Sequence, residues 1–206
     1  MSDLNFIVEK AEAVRYTATP LLSFTLRVTN TDPDEAIHTA TLRCQIQIEV
    51  ARRRYGSCEQ ESLRDMFGEP GRWSQTLRPM LWTHASTVVP QFSGSVNVLL
   101  PVACTFDFIV ASTKYFHGVE DGEVPLRLMF SGTVFYSGQD GALQVAPISW
   151  DKESRFRLPV AVWKEVMDIH YPNRAWLSLR RDVSTVCTNT KYSVGYPHGK
   201  KLWSAC

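Results

Sequence analysis

Three consecutive arginines, Arg52, Arg53 and Arg54, stand in "CQIQIEVARRRYG", directly after a run that alternates apolar and polar residues. A guanidinium is a planar fork of donors that matches phosphate and carboxylate, so the triplet reads as an anion site or as a solvated, paired strand end. Arg64, Arg72 beside Trp73, and Arg78 near Trp82 follow in the next segment. Arginine and tryptophan are enriched at the centres of protein interfaces. A partner-protein contact surface is therefore expected from Arg52, Arg53, Arg54, Tyr55, Arg72, Trp73, Arg78, Trp82 and His84. The same segment also supplies Glu59, Glu61, Asp65 and Glu69, which could pair with these arginines and simply cap a sheet edge.

Templates for catalysis are incomplete. "GYPHGKK", 195–201, is one residue short of a phosphate loop, whose amides must wrap an anion after a strand. "FSGSV", 92–96, lacks the flanking glycines of a nucleophile elbow. His84, His117 and Asp107 would make an enzyme only if the fold brought them together. Glu120, Asp121 and Glu123 in "GVEDGE" read as an acidic loop rather than an acid–base pair. In "VWKEVMDIH", Glu165 and His170 are five apart and on different helix faces, so no metal pair forms there. Cys58 and Cys104 with the histidines leave a metal carrier as a further alternative, and Cys187, His198 and Cys206 could converge on zinc only through folding of the tail. No catalytic residue, cofactor or metal site is expected.

The elements that must position these residues are mostly strands. Leu42, Cys44, Ile46, Ile48 and Val50 share one face and Arg43, Gln45, Gln47 and Glu49 the other, the period of a half-buried strand. Strands are predicted over 5–9, 22–29, 39–50, 83–89, 95–99, 104–111, 124–136 and 143–148. The turn cluster "NTDPDEAIH" is expected to join the second and third as an antiparallel hairpin, and "SGQDG" to join the last two. Residues 58–82 break the pattern and read as a helical insertion over one end of a sheet, with Pro79 interrupting any regular helix. "LPVAVWKEVMDIHYP" predicts an amphipathic helix over about 160–171, with Val162, Trp163, Val166, Met167 and His170 inward and Lys164, Glu165 and Asp168 in water. The expected architecture is mainly β: an antiparallel β-sandwich with a helical insertion, one domain over 1–182, and a loosely docked tail over 183–206.

The totals agree with that reading. Lys and Arg number 22 and Asp and Glu 21, a net charge of +1 that argues against a dedicated nucleic-acid binder. The first residues show no basic stretch followed by an apolar run, and no apolar stretch approaches the roughly 20 residues that span a bilayer. Five cysteines at irregular spacing suit reduced thiols, and Cys44 and Cys104 lie in strand patterns as core residues. A soluble, cytoplasmic protein with no membrane partner is expected.

"LRCQIQIEVARRRY", "LRDMFGEPGRWSQTLRPMLWTH", "CTFDFIVASTKYFH", "DGEVPLRLMFSGTVFY" and "RLPVAVWKEVMDIHYPNRAWLSLRRD" together resemble a bacterial family of unknown function, from about Leu4 to Asp182. The resemblance implies no reaction. It implies a setting, beside genes of actinobacterial-type uptake NiFe hydrogenases, and hence a hydrogenase subunit or maturation factor as partner. It also implies a second C-terminal amphipathic helix, where this chain has "VSTVCTNTKYSVGYPHGKKLWSAC" with no helical stripe. The expected role is a non-catalytic accessory or scaffold protein.

Overall fold

In a computed structural model of the chain, which describes residues 3–105, 110–138 and 141–172, alternating strands close into two antiparallel sheets packed face to face. The first sheet has the order β1 (Leu4–Ala13), β2 (Leu21–Asn30) and β5 (Ser95–Ala103). The second runs β4 (Met80–Val89), β3 (Ile37–Ile48), β6 (Glu123–Ser137) and β7 (Leu143–Pro147). β8 (Glu153–Pro159) pairs with the first half of β6 and β7 with its second half.

Each inner face is the apolar half of the alternation. Leu22, Phe24, Leu26 and Val28 on β2 meet Leu42, Cys44, Ile46 and Ile48 on β3 within one buried core. Phe6 stacks on Phe130 with ring centres 4.5 Å apart, and Phe24 meets Phe156 edge-on at 5.7 Å. Gly132 on β6 lies opposite Leu42 of the neighbouring β3 at φ 150°, and a Cβ there would lie 1.9 Å from the carbonyl oxygen of Thr41. Only glycine permits that approach.

Three expectations change. β2 and β3 do not form a hairpin: β2 pairs with β1 and β5, β3 with β4 and β6, so the turn cluster carries the chain from one sheet to the other. A turn signal between two alternating runs serves a hairpin and a sheet crossing equally, because both need only a polar reversal. The strand expected over 104–111 gives way to α3 (Val110–Gly118), whose Tyr115 and Phe116 are fully buried; residues 106–109 lie outside the described residues. β8 is a strand beyond those expected, and Ser154, Phe156 and Leu158 alternate with Glu153, Arg155 and Arg157 in its sequence.

The helical insertion is real but shorter than 58–82. A 3₁₀ turn at Val50–Arg52 leads to α1 (Ser57–Phe67), then to a turn at Pro70–Arg72 and the short α2 (Trp73–Thr76). Met80 to Trp82 already belong to β4. The C-terminal helix α4 (Val160–His170) matches its expected span, with Trp163, Val166 and Met167 buried and Lys164, Glu165 and Asp168 exposed. Val162 and His170 are only half-buried.

The helices share an aromatic cluster at one end of the sandwich. Tyr55 and Phe67 meet Trp73 edge-on at 5.3 and 5.6 Å, Trp82 lies 5.0 Å from Phe116, and Phe116 stacks on Trp163 at 5.1 Å. Buried aromatic surface of this size dominates local stability. Among the described residues no helix is long and apolar enough to cross a membrane. The tail expected at 183–206 lies outside the described residues.

Candidate functional site: an arginine-lined groove beside the insertion

The arginine triplet divides its tasks. β3 ends at Ile48, and the backbone turns at Glu49 (φ −85°, ψ 66°), which carries Glu49 into the interior rather than into water. Arg53 follows it inward. Its side chain is 7% exposed, it pairs with Glu59 at 2.5 Å, and it donates to the carbonyls of Asp121 and Glu123 at 2.7 Å each. The Glu59 carboxylate accepts further bonds from the backbone N–H groups of Gly56 and Glu120. Burial alone would push the Glu59 carboxyl up, but the Glu120 amide, the Arg53 guanidinium and the Gly56 amide outweigh it and hold the group below the ordinary glutamate range. Arg53 and Glu59 thus tie the insertion to the loop before β6.

The aromatic residues of the expected surface are also occupied. The Trp73 indole is buried and donates to the Gly68 carbonyl at 3.0 Å. The Tyr55 hydroxyl donates to the Val50 carbonyl at 2.8 Å and lies 3.1 Å from the Tyr115 hydroxyl. Trp82 falls at a register shift in which Ile46 opposes Thr83 and Gln47 opposes Leu81, leaving Trp82 as the extra residue. Such a bulge re-aims a side chain, and here it sends the indole into the core. His84, opposite Gln45, stays on the exposed outer face. Arg54, Arg72 and Arg78 are exposed, and Arg78 donates to the Gln75 and Leu77 carbonyls.

Arg52 instead lines an open groove of about 310 Å³ with Glu49, Pro125, Leu126, Arg155, Phe156 and Arg157. Residue alternation on β8 puts Arg155 and Arg157 on one side of the sheet, while Phe156 and Leu158 face the core. Arg52 contacts Glu49 through Nε at 3.3 Å, Arg155 reaches Glu153 at 3.5 Å, and Arg157 reaches Glu123 at 3.9 Å. All three arginine side chains are more than half exposed, so these pairs are weak. Arg155 and Arg157 add to the expected site residues, and the signal that places them is the period-two alternation in "ESRFRLP" of β8.

The other candidates are separate. His38 meets the Ser137 hydroxyl at 2.8 Å, and His170 meets the Val166 carbonyl at 2.9 Å and the Thr17 hydroxyl at 3.1 Å. His117 lies edge-on to Trp163 at 4.8 Å, where desolvation, then the Lys164 charge, lower its pKa. Burial pushes the Cys44 and Cys104 thiols up to about 12, whereas Cys58 is exposed on α1. Among the described residues no group of three or more histidines, cysteines and carboxylates is placed to hold a metal ion. Asp107, Cys187, His198 and Cys206 lie outside the described residues.

The chain belongs to a family of unknown function (DUF6084), whose model matches residues 1–200. No curated protein matches the sequence. Among solved structures it is similar to the CARDB domain of the PF1109 protein in complex with di-metal ions from Pyrococcus furiosus, at 9% identity over 77% of this chain and 92% of that one, with a TM-score of 0.29. It is also similar to Spo0M, a sporulation control protein from Bacillus subtilis, at 10% identity over 77% of this chain and 48% of that one, with a TM-score of 0.28. Likeness at that level carries no argument about a site.

Proposed function

With membership of this family as the premise, we propose that the chain is a non-catalytic accessory protein that binds a partner protein through the groove of Arg52, Arg155 and Arg157. One observation carries the reading. Three guanidinium groups line one open depression at the junction of the sandwich and its insertion, and among the described residues their ion pairs are long. Arginine is favoured where planar, bidentate recognition of carboxylates is needed. Among the described residues His38 and His170 are engaged in hydrogen bonds, and Cys44 and Cys104 are buried in the core.

The sequence resemblance supports a hydrogenase subunit or maturation factor as that partner, in a cytoplasmic setting. Affinity capture from hydrogenase-expressing cells tests this, with the native chain run beside an Arg52→Glu, Arg155→Glu, Arg157→Glu variant. The reading expects a hydrogenase component with the native chain and its loss with the variant. Equal recovery by both would remove the groove from the function, and recovery of no such component would remove the partner.

A further inference from the structure

We infer that the groove receives an extended partner segment carrying two acidic side chains two residues apart, laid along β8 so that they meet Arg155 and Arg157. This inference rests on the partner-binding reading above and names the chemistry of the partner. Alternate residues of a strand project to the same side roughly 6.5–7 Å apart. Arg155 and Arg157 are such a pair. An extended peptide has the same period, so carboxylates at positions i and i+2 match the two guanidiniums. Adjacent acidic residues point to opposite sides and cannot.

The donors are available. Glu153 and Glu123 stand 3.5 and 3.9 Å from their arginines, beyond ordinary hydrogen-bond length. A carboxylate brought closer can take the fork bidentately. Arg52, turned into the same groove, adds a third positive charge to the site. A nucleic-acid strand fits less well. Its unbroken row of phosphates carries a charge at every nucleotide, more than these three arginines can neutralise, on a chain of net charge +1.

Fluorescence anisotropy with labelled nonapeptides tests the inference at low salt. One peptide carries Glu at alternate positions, a second carries the same residues with the two Glu adjacent, and a single-stranded oligonucleotide serves as the polyanion. The alternate peptide should bind at least five-fold more tightly than the adjacent one. The Arg155→Ala, Arg157→Ala variant should weaken it ten-fold or more, whereas Arg27→Ala on the outer face of the other sheet should not. Melting curves of both variants check that they fold. Equal affinity for the two peptides, affinity unmoved by the β8 variant, or preference for the oligonucleotide would each overturn the inference. If no peptide binds while the charge-reversed groove still abolishes partner capture, the acidic segment is wrong and the partner-binding reading stands. If capture ignores the groove, that reading falls as well.

Discussion

Arg53 and Glu59 meet at 2.5 Å inside the protein, each side chain 7% exposed, and the pair is joined to the loop before β6 through the backbone of Asp121, Glu123 and Glu120. The arrangement answers the question posed by the arginine triplet: its middle member is a structural bolt. Removing one partner of a buried pair leaves an uncompensated charge, which costs about 3–5 kcal/mol. Glu59→Ala and Arg53→Ala should each lose stability of that order in urea unfolding. The double variant should lose clearly less than their sum, with a coupling of about 2 kcal/mol.

The same pair sets a dependence on pH. The Glu59 pKa is lowered in the folded chain, so its contribution is fully present above the unfolded glutamate value of 4.5 and is lost as pH falls through the lower folded value. The stability gap between the native chain and Glu59→Gln should therefore be constant from neutral pH down to about 5 and narrow below about 4. A gap that widens in acid would refute the role given to this carboxylate.

Trp82 and His84 are two residues apart on β4, yet the bulge buries one and exposes the other. Trp82→Ala should cost about 3–5 kcal/mol by opening a cavity beside Phe116. His84→Ala should change stability by less than about 0.5 kcal/mol. Thermal unfolding of the two variants separates them directly.

At Gly132, a Cβ would collide with the backbone of Thr41 where β6 pairs with β3, and φ lies in a region that favours glycine. Gly132→Ala should cost about 3 kcal/mol or leave the protein insoluble. A melting temperature within a degree of the native chain would show that β6 and β3 can separate at this point without cost.

Thiol labelling followed by peptide mapping should find Cys58 modified in the native chain, with Cys44 and Cys104 modified only after unfolding. Burial both shields those two sulfurs and pushes their thiols up to about 12, which removes the reactive thiolate. Rapid native labelling of Cys104 would put back the possibility that it serves as a ligand.

Local pattern alone determined the strand faces, the inward stripe of α4 at Trp163, Val166 and Met167, and the broken segment between β3 and β4, because periodicity reports which side of an element must leave water. It also determined that Cys44 would be a core residue. Tertiary structure decided which strands pair, since the turn cluster after β2 is compatible with a hairpin and with a crossing. It decided the fates of the arginines as well. Arg53 is buried because amides and carbonyls of residues 120–123 converge with Glu59 around it, and Arg52 faces a groove because β8 brings Arg155 and Arg157 beside it. The same arginine type serves as an exposed cation or, where partners repay its desolvation, as a buried bolt, so its role depends on charges and dipoles that only the folded chain places within reach.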